Sequence, residues 1–85
     1  MNHHLYILYS SELDKFYIGS TSMTVEERLK KHNKNHKGFT GNANDWIIVY
    51  VEVFTTKDLA MRREKEIKKW KSKNAIMQMI RTAGS

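Results

Sequence analysis

The chain has no cysteine among its 85 residues, so neither a disulfide nor a thiolate metal site can staple the fold. Long apolar runs are missing as well. Stretches such as Ile47 to Val51 fall far short of the roughly 20 residues that a membrane-spanning helix needs. The start, Met1-Asn2-His3-His4, is polar and lacks the apolar stretch of a signal peptide. There is no internal repeat, no low-complexity segment and no interdomain linker. A glycine-rich phosphate loop is absent, and no His/Asp/Glu cluster has metal-ligand spacing; His3-His4 is a weak pair. A length of 85 residues leaves room for one domain, over residues 1–85, and these absences predict a place in the cytoplasm without membrane contact.

What is present is basic and aromatic. A hydrophobic content of 40%, with two Trp, four Tyr and three Phe, is enough for a compact core and argues against disorder. The formal net charge of +6 and the sequence pI of about 9.7 favour an anionic partner. That excess is uneven. Thr55 to Ser85 holds nine Lys or Arg against three acids, whereas Met1 to Asn42 holds six against four.

His4 to Tyr9 is rich in β-formers and reads as a strand, followed by a polar turn from Ser10 to Lys15. Phe16 to Ser20 reads as its hairpin partner. Thr24-Val25-Glu26-Glu27 has the form of a capping box opening a helix that runs to about Asn33. His36 to Asp45, with two Gly, reads as a loop. Trp46 to Phe54 is almost continuously apolar, which predicts a strand covered on both faces and placed centrally in the sheet. Thr56 or Asp58 can cap a second helix through Ala60 to about Lys71, and Asn74 to Arg81 predicts a short third one. The order β-β-α-β-α-α makes an α+β domain, a three-stranded antiparallel or mixed sheet flanked by helices.

Some residues stand where packing would not ask for them. On the first helix Val25, Arg28, Leu29 and His32 project to one side, which puts a guanidinium and an imidazole at the edge of an apolar face. On the second, Leu59, Ala60, Ile67 and Trp70 make the apolar stripe, with Arg63 and Glu64 in the turn between them. Packing explains each singly: Arg28 can snorkel, Glu64 can pair with neighbouring lysines, and Tyr6 and Tyr17 can be cross-strand aromatics. The combination carries more than its parts.

That combination resembles the GIY-YIG nuclease superfamily. Tyr6 closes a first-strand motif, and Tyr17-Ile18-Gly19 follows eleven positions on as an intact second triplet. Arg28 and His32 fit the family's Arg-x-x-x-His/Tyr helix. Ala60 to Trp70 looks like the helix bearing its single catalytic carboxylate, here Glu64. The likeness covers about His4 to Ile80 and points to the small single-domain members found mainly in bacteria. The first triplet departs from the pattern: His4-Leu5-Tyr6 stands where the family reads Gly-Ile-Tyr. Ser20 follows the second triplet where some relatives carry Lys.

The resemblance implies a divalent-metal-dependent endonuclease hydrolysing DNA phosphodiesters. Glu64 would hold one cation, Mg²⁺ or Mn²⁺, and Arg28 would face the developing negative charge. Tyr6 would serve as base, His32 as its relay, Tyr17 as a second hydrogen bonder, and Gly19 would allow close approach. Lys30, Lys31, Lys34 and Lys37, with Lys68, Lys69, Lys71 and Lys73, would hold phosphates around the site. The substrates implied are DNA in branched, damaged or single-stranded forms, with specificity supplied by substrate shape or a protein partner. The alternative is a nucleic-acid-binding module on the same fold with little or no cleavage.

Overall fold

The structure is a computed structural model that describes residues 2–34 and 45–84, and of His32 and Lys34 the backbone alone. Its elements run β1 (His3–Ser10), β2 (Lys15–Thr21), α1 (Val25–Lys34), β3 (Ile47–Phe54), α2 (Lys57–Trp70) and α3 (Lys73–Gly84). The predicted order therefore holds, and every strand pairing is antiparallel. The third helix is longer at both ends than Asn74 to Arg81. Most of the predicted His36 to Asp45 loop, Lys37 with it, lies outside the described residues.

One expectation is corrected. The sheet order is β2-β1-β3, so β1 is central and β3 lies at an edge. Leu5, Tyr6, Ile7 and Leu8 of β1 are all fully buried, whereas Ile47, Val51 and Val53 of β3 are exposed. The reason is geometric. Leu5 and Ile7 face α2 and α3 on one side of the sheet, in a cluster with Ile18, Ile67 and Ile76. Tyr6 and Leu8 face α1 on the other, with Val25 and Trp46. With ten residues, α1 is only about 15 Å long. It covers β1 and the start of β3 and leaves Val51 and Val53 bare. An unbroken apolar run thus marks a strand in a three-layer domain, but not its place in the sheet. Leu59 of the expected α2 stripe is likewise exposed.

Helix starts follow their sequence signals. Thr24 Oγ1 accepts from Glu27 N at 3.3 Å, and Thr56 Oγ1 accepts from Leu59 N at 3.3 Å. Each satisfies an orphan amide of the first turn. At its C-terminal end α2 closes on Lys71 in the left-handed region, φ 47° and ψ 25°. Glycine is the usual residue there. A side chain in that conformation costs about 1–2 kcal/mol, of which a lysine's attraction to the helix C-terminus returns about 0.3–1 kcal/mol.

Two polar anchors hold the segment before β3. Asn33 grips Trp46 with both ends of its amide: Trp46 N donates to Oδ1 at 3.0 Å, and Nδ2 donates to the Trp46 carbonyl at 3.1 Å. Asp45 accepts from Ser10 Oγ at 2.6 Å, Ser11 Oγ at 2.9 Å and Glu12 N at 2.9 Å, tying the β1–β2 turn to the start of β3. The Ser10 hydroxyl bond is the main reason why the Asp45 carboxyl is held below the usual 3.8. A depressed folded-state pKa means stability that is present above the ordinary value and lost as pH falls through the folded one. Asp45→Ala should therefore melt several degrees below the parent at neutral pH, and the gap should close as both are titrated well below pH 3.8. Thermal melts followed by circular dichroism across that range are the check.

Candidate active site

The β1–β2 register brings the two tyrosine motifs together. Tyr6 is the Cα partner of Gly19, and Leu8 that of Tyr17. Directly paired residues share a sheet face, so Tyr6, Tyr17 and Gly19 all look toward α1. The tyrosine rings lie 6.3 Å apart, tilted by 34°. The Tyr6 ring lies across Gly19 so closely that a Cβ there would sit 2.7 Å from its hydroxyl oxygen and 2.8 Å from Cζ. Any other residue at 19 would have to push the ring away. The close approach expected of Gly19 is thus made by Tyr6 itself.

Arg28 reaches the same point from α1, its Nε donating to the Tyr6 hydroxyl oxygen at 3.4 Å. Burial raises the Tyr6 pKa above 10.0, and the Arg28 hydrogen bond and charge pull against that rise. The charge of Glu64 also acts on Tyr6, in the raising direction, as does Tyr17. The phenol at the centre of the cluster is accordingly held in its neutral form more firmly than a free one.

Glu64 arrives from the opposite layer. Ser20 pairs with Leu5 and so faces α2. Its Oγ donates to Glu64 Oε1 at 2.7 Å, and Lys68 Nζ donates to Oε2 at 2.7 Å. Because β2 is an edge strand, groups from both faces of the sheet meet around its free side. Beside them opens a cleft of about 330 Å³ lined by His3, Ser20, Thr21, Arg28, Lys57 and Ala60, among others. A slightly larger hollow of about 370 Å³ lies between α3 and the hairpin, walled chiefly by Phe16, Val49, Met77 and Ile80. Its lining is mainly apolar, and its polar members Tyr9, Asp14 and Arg81 are none of the motif residues, so the cleft is the candidate.

The other expected site residues distribute unevenly. His32 lies on α1, but its side chain is outside the described residues, as are those of Lys34 and Lys37. Lys31 Nζ lies 3.8 Å from Met23 Sδ at the cleft's rim, and Lys30 is exposed. Lys68, Lys71 and Lys73 line one groove, which Lys69 on the outer side of α2 does not join. Sequence reasoning missed Ser20 as the partner of Glu64, and Lys57 and His3 as cleft residues. Lys57 had a signal: with Ala60 and Glu64 it follows the i, i+3, i+7 spacing of one helix face. His4, where the resemblance expects glycine, has a buried Nδ1, the one such side-chain atom without a hydrogen-bond partner among the described residues.

The residues that converge here carry the motifs of a known family, and a family model decides the matter. The model described as GIY-YIG catalytic domain matches residues 2–77. The chain belongs to the GIY-YIG family. It is 38% identical over 80 residues to the UPF0213 protein SH2523 of Staphylococcus haemolyticus, a match covering 92% of this chain and 93% of that one. Its fold is similar to the solution NMR structure of the UPF0213 protein BH0048 from Bacillus halodurans. The TM-score is 0.62 and the identity 31%, over 100% of this chain and 88% of the other. The GIY-YIG domain is a nuclease fold, one that implies a nucleic-acid substrate and, in general, a divalent metal. No helix among the described residues is long and apolar enough to cross a membrane.

Whether the residues suit such a metal can be tested on their chemistry. Among the described residues no group of three or more His, Cys, Asp or Glu could form a cage. Glu64 instead offers one partly exposed carboxylate, beside the Ser20 hydroxyl and the cleft. Among the described residues that ligand set makes no closed transition-metal cage. It fits a hard cation that keeps waters and takes further oxygens from a phosphate.

Proposed function

We propose that the protein is a divalent-metal-dependent endonuclease that hydrolyses DNA phosphodiester bonds at the cleft beside Tyr6, Arg28 and Glu64. The observation that carries this reading is the Arg28 hydrogen bond to the buried Tyr6 hydroxyl from one layer, with Glu64, held on Ser20 in the other layer, near enough for its charge to act on that phenol. Nothing in core packing requires a guanidinium, a phenol and a carboxylate to act on one another there.

A phosphodiester is anionic, so its attack requires positive charge around the phosphoryl oxygens. Arg28 supplies a planar, permanently charged fork. Glu64 would hold the divalent cation, Mg²⁺ or Mn²⁺, whose charge would stabilise the departing 3′ oxygen. Tyr6 takes the proton from the attacking water, Tyr17 hydrogen-bonds phosphate or water, and His32 relays the proton. The raised pKa of Tyr6 has a kinetic consequence. Its deprotonated fraction is small at neutral pH, so the rate should climb through the alkaline range instead of levelling near neutrality.

The test is nicking of supercoiled plasmid, then cleavage of duplex, single-stranded, flap and branched DNA with an RNA control. Cleavage should require added Mg²⁺ or Mn²⁺, stop with EDTA, and accelerate from about pH 7 to about pH 9. Tyr6→Phe should lose that acceleration; full rates in both Tyr6→Phe and His32→Ala would end the base assignment. A second reading has an observation in its favour. Lys68 and Ser20 already occupy both oxygens of Glu64, as they would in a binding module that holds nucleic acid without cutting it. Binding without metal-dependent cleavage on every substrate would select that reading.

A further inference from the structure

Along β2, from Ser20 beside Glu64 toward Lys15, lies a second feature that the cleavage chemistry does not use. A groove of about 320 Å³ runs between the free edge of β2 and the junction of α2 with α3, and Lys15, Lys68, Lys71 and Lys73 line it together with Asp14. Phe16, Ile18, Ile67 and Ile76 form its apolar floor. Lys68 links it to the candidate site, since its ammonium also holds Glu64. Ser20 beside Glu64 and Lys15 are five residues apart on β2, about 17 Å at strand rise.

We propose that this groove carries one nucleic-acid backbone away from Glu64, its lysines binding successive phosphates on one side of the scissile bond, with Asp14 as a built-in counter-anion that the strand displaces. The inference rests on the endonuclease or binding reading above and adds where the strand lies. Four ammonium groups meet around one hollow; Asp14 lines it with them and holds Lys73, and Glu64 at its end holds Lys68. A polyanion complements that surface, whereas an apolar peptide or a second copy of this basic chain would leave the charge unanswered.

Two details point the same way. Lys71 occupies the left-handed C-cap position, where glycine would be cheaper and where helix-dipole attraction recovers only part of the cost. A lysine kept there puts its ammonium on the groove. Asp14, also in the left-handed region at φ 51°, receives hydrogen bonds from Tyr9 Oη and from Lys73 Nζ. Those bonds hold its carboxyl below 3.8, chiefly through Lys73. The Lys73 ammonium is thereby parked on Asp14, and a phosphate must compete for it.

Fluorescence anisotropy with labelled single-stranded and duplex oligonucleotides, in EDTA to prevent cutting, tests this over a salt series. Lys71→Gln/Lys73→Gln should weaken binding about tenfold at low salt and lower the slope of log affinity against log salt by about 2. Asp14→Asn, which also tolerates left-handed backbone, should tighten binding about threefold by freeing Lys73. Arg62→Gln/Lys65→Gln removes equal charge from the outer side of α2 and should change affinity less than twofold. Lys71→Gly keeps the cap and should melt no lower than the parent, yet still bind more weakly. Equal losses from the outer pair and the groove pair would overturn the proposal, leaving net charge as the sole cause. So would unchanged binding by the groove pair in a protein that cuts DNA, and there the endonuclease reading survives. A wild-type protein that binds no oligonucleotide overturns both.

Discussion

Glu64→Gln is expected to reduce cleavage by about 10³-fold or more while leaving the fold and oligonucleotide binding close to those of the parent. Gln keeps the size of Glu64 and can still accept from Ser20 Oγ, which now donates to Oε1 at 2.7 Å. It loses the negative charge on which a cation depends, and it loses the ion pair with Lys68. That pair is partly exposed, spaced i,i+4, and such helix pairs contribute about 0.5 kcal/mol, so stability should hardly move. Phosphate binding by the released Lys68 should if anything improve. Single-turnover cleavage, anisotropy and a thermal melt on one preparation separate the three effects. A variant that still cuts at a tenth of the parental rate or better would place the metal elsewhere.

Gly19→Ala has the second largest expected effect, and it acts without touching a charged group. The added Cβ would meet the Tyr6 hydroxyl at 2.7 Å, Cζ at 2.8 Å and Tyr17 Cε1 at 3.0 Å. Tyr6 is fully buried, so its ring cannot swing aside into water. It must move within a packed layer, at about 1–3 kcal/mol for overpacking of this kind. A shift of roughly 1 Å at a reacting group can cost on the order of 10²-fold in rate. The Arg28 bond to Tyr6, already long at 3.4 Å, should break. The expected result is a folded protein with a lowered melting temperature and a loss of cleavage far larger than its loss of DNA affinity. Equal losses in cleavage and binding would instead mean that Gly19 only maintains the sheet.

The two variants also show why the sequence revealed the site unevenly. Tyr6, Tyr17, Arg28 and Glu64 stood out because a phenol, a guanidinium and a carboxylate at these spacings are hard to attribute to packing alone. Ser20 did not stand out, since a serine in a strand is ordinary until its hydroxyl is found on Glu64. The clash that makes Gly19 irreplaceable was hidden too. The resemblance implies a close approach to this glycine, and the group lying over it is Tyr6.

Taken alone, the sequence determined the kinds and order of the elements, their caps, the basic charge and the family's motifs. Each of these depends on neighbours within a few positions along the chain, through side-chain periodicity, capping hydroxyls and turn residues. Tertiary structure decided which strand is central, which apolar residues of β3 stay exposed, and that Glu64 is held by Ser20 of an edge strand. It also joined Lys15 to Lys71 and Lys73 in one groove. Those outcomes depend on strand order and on how far a helix of ten residues can cover a sheet. They arise from pairings between residues distant in sequence, and local pattern carries no record of such pairings.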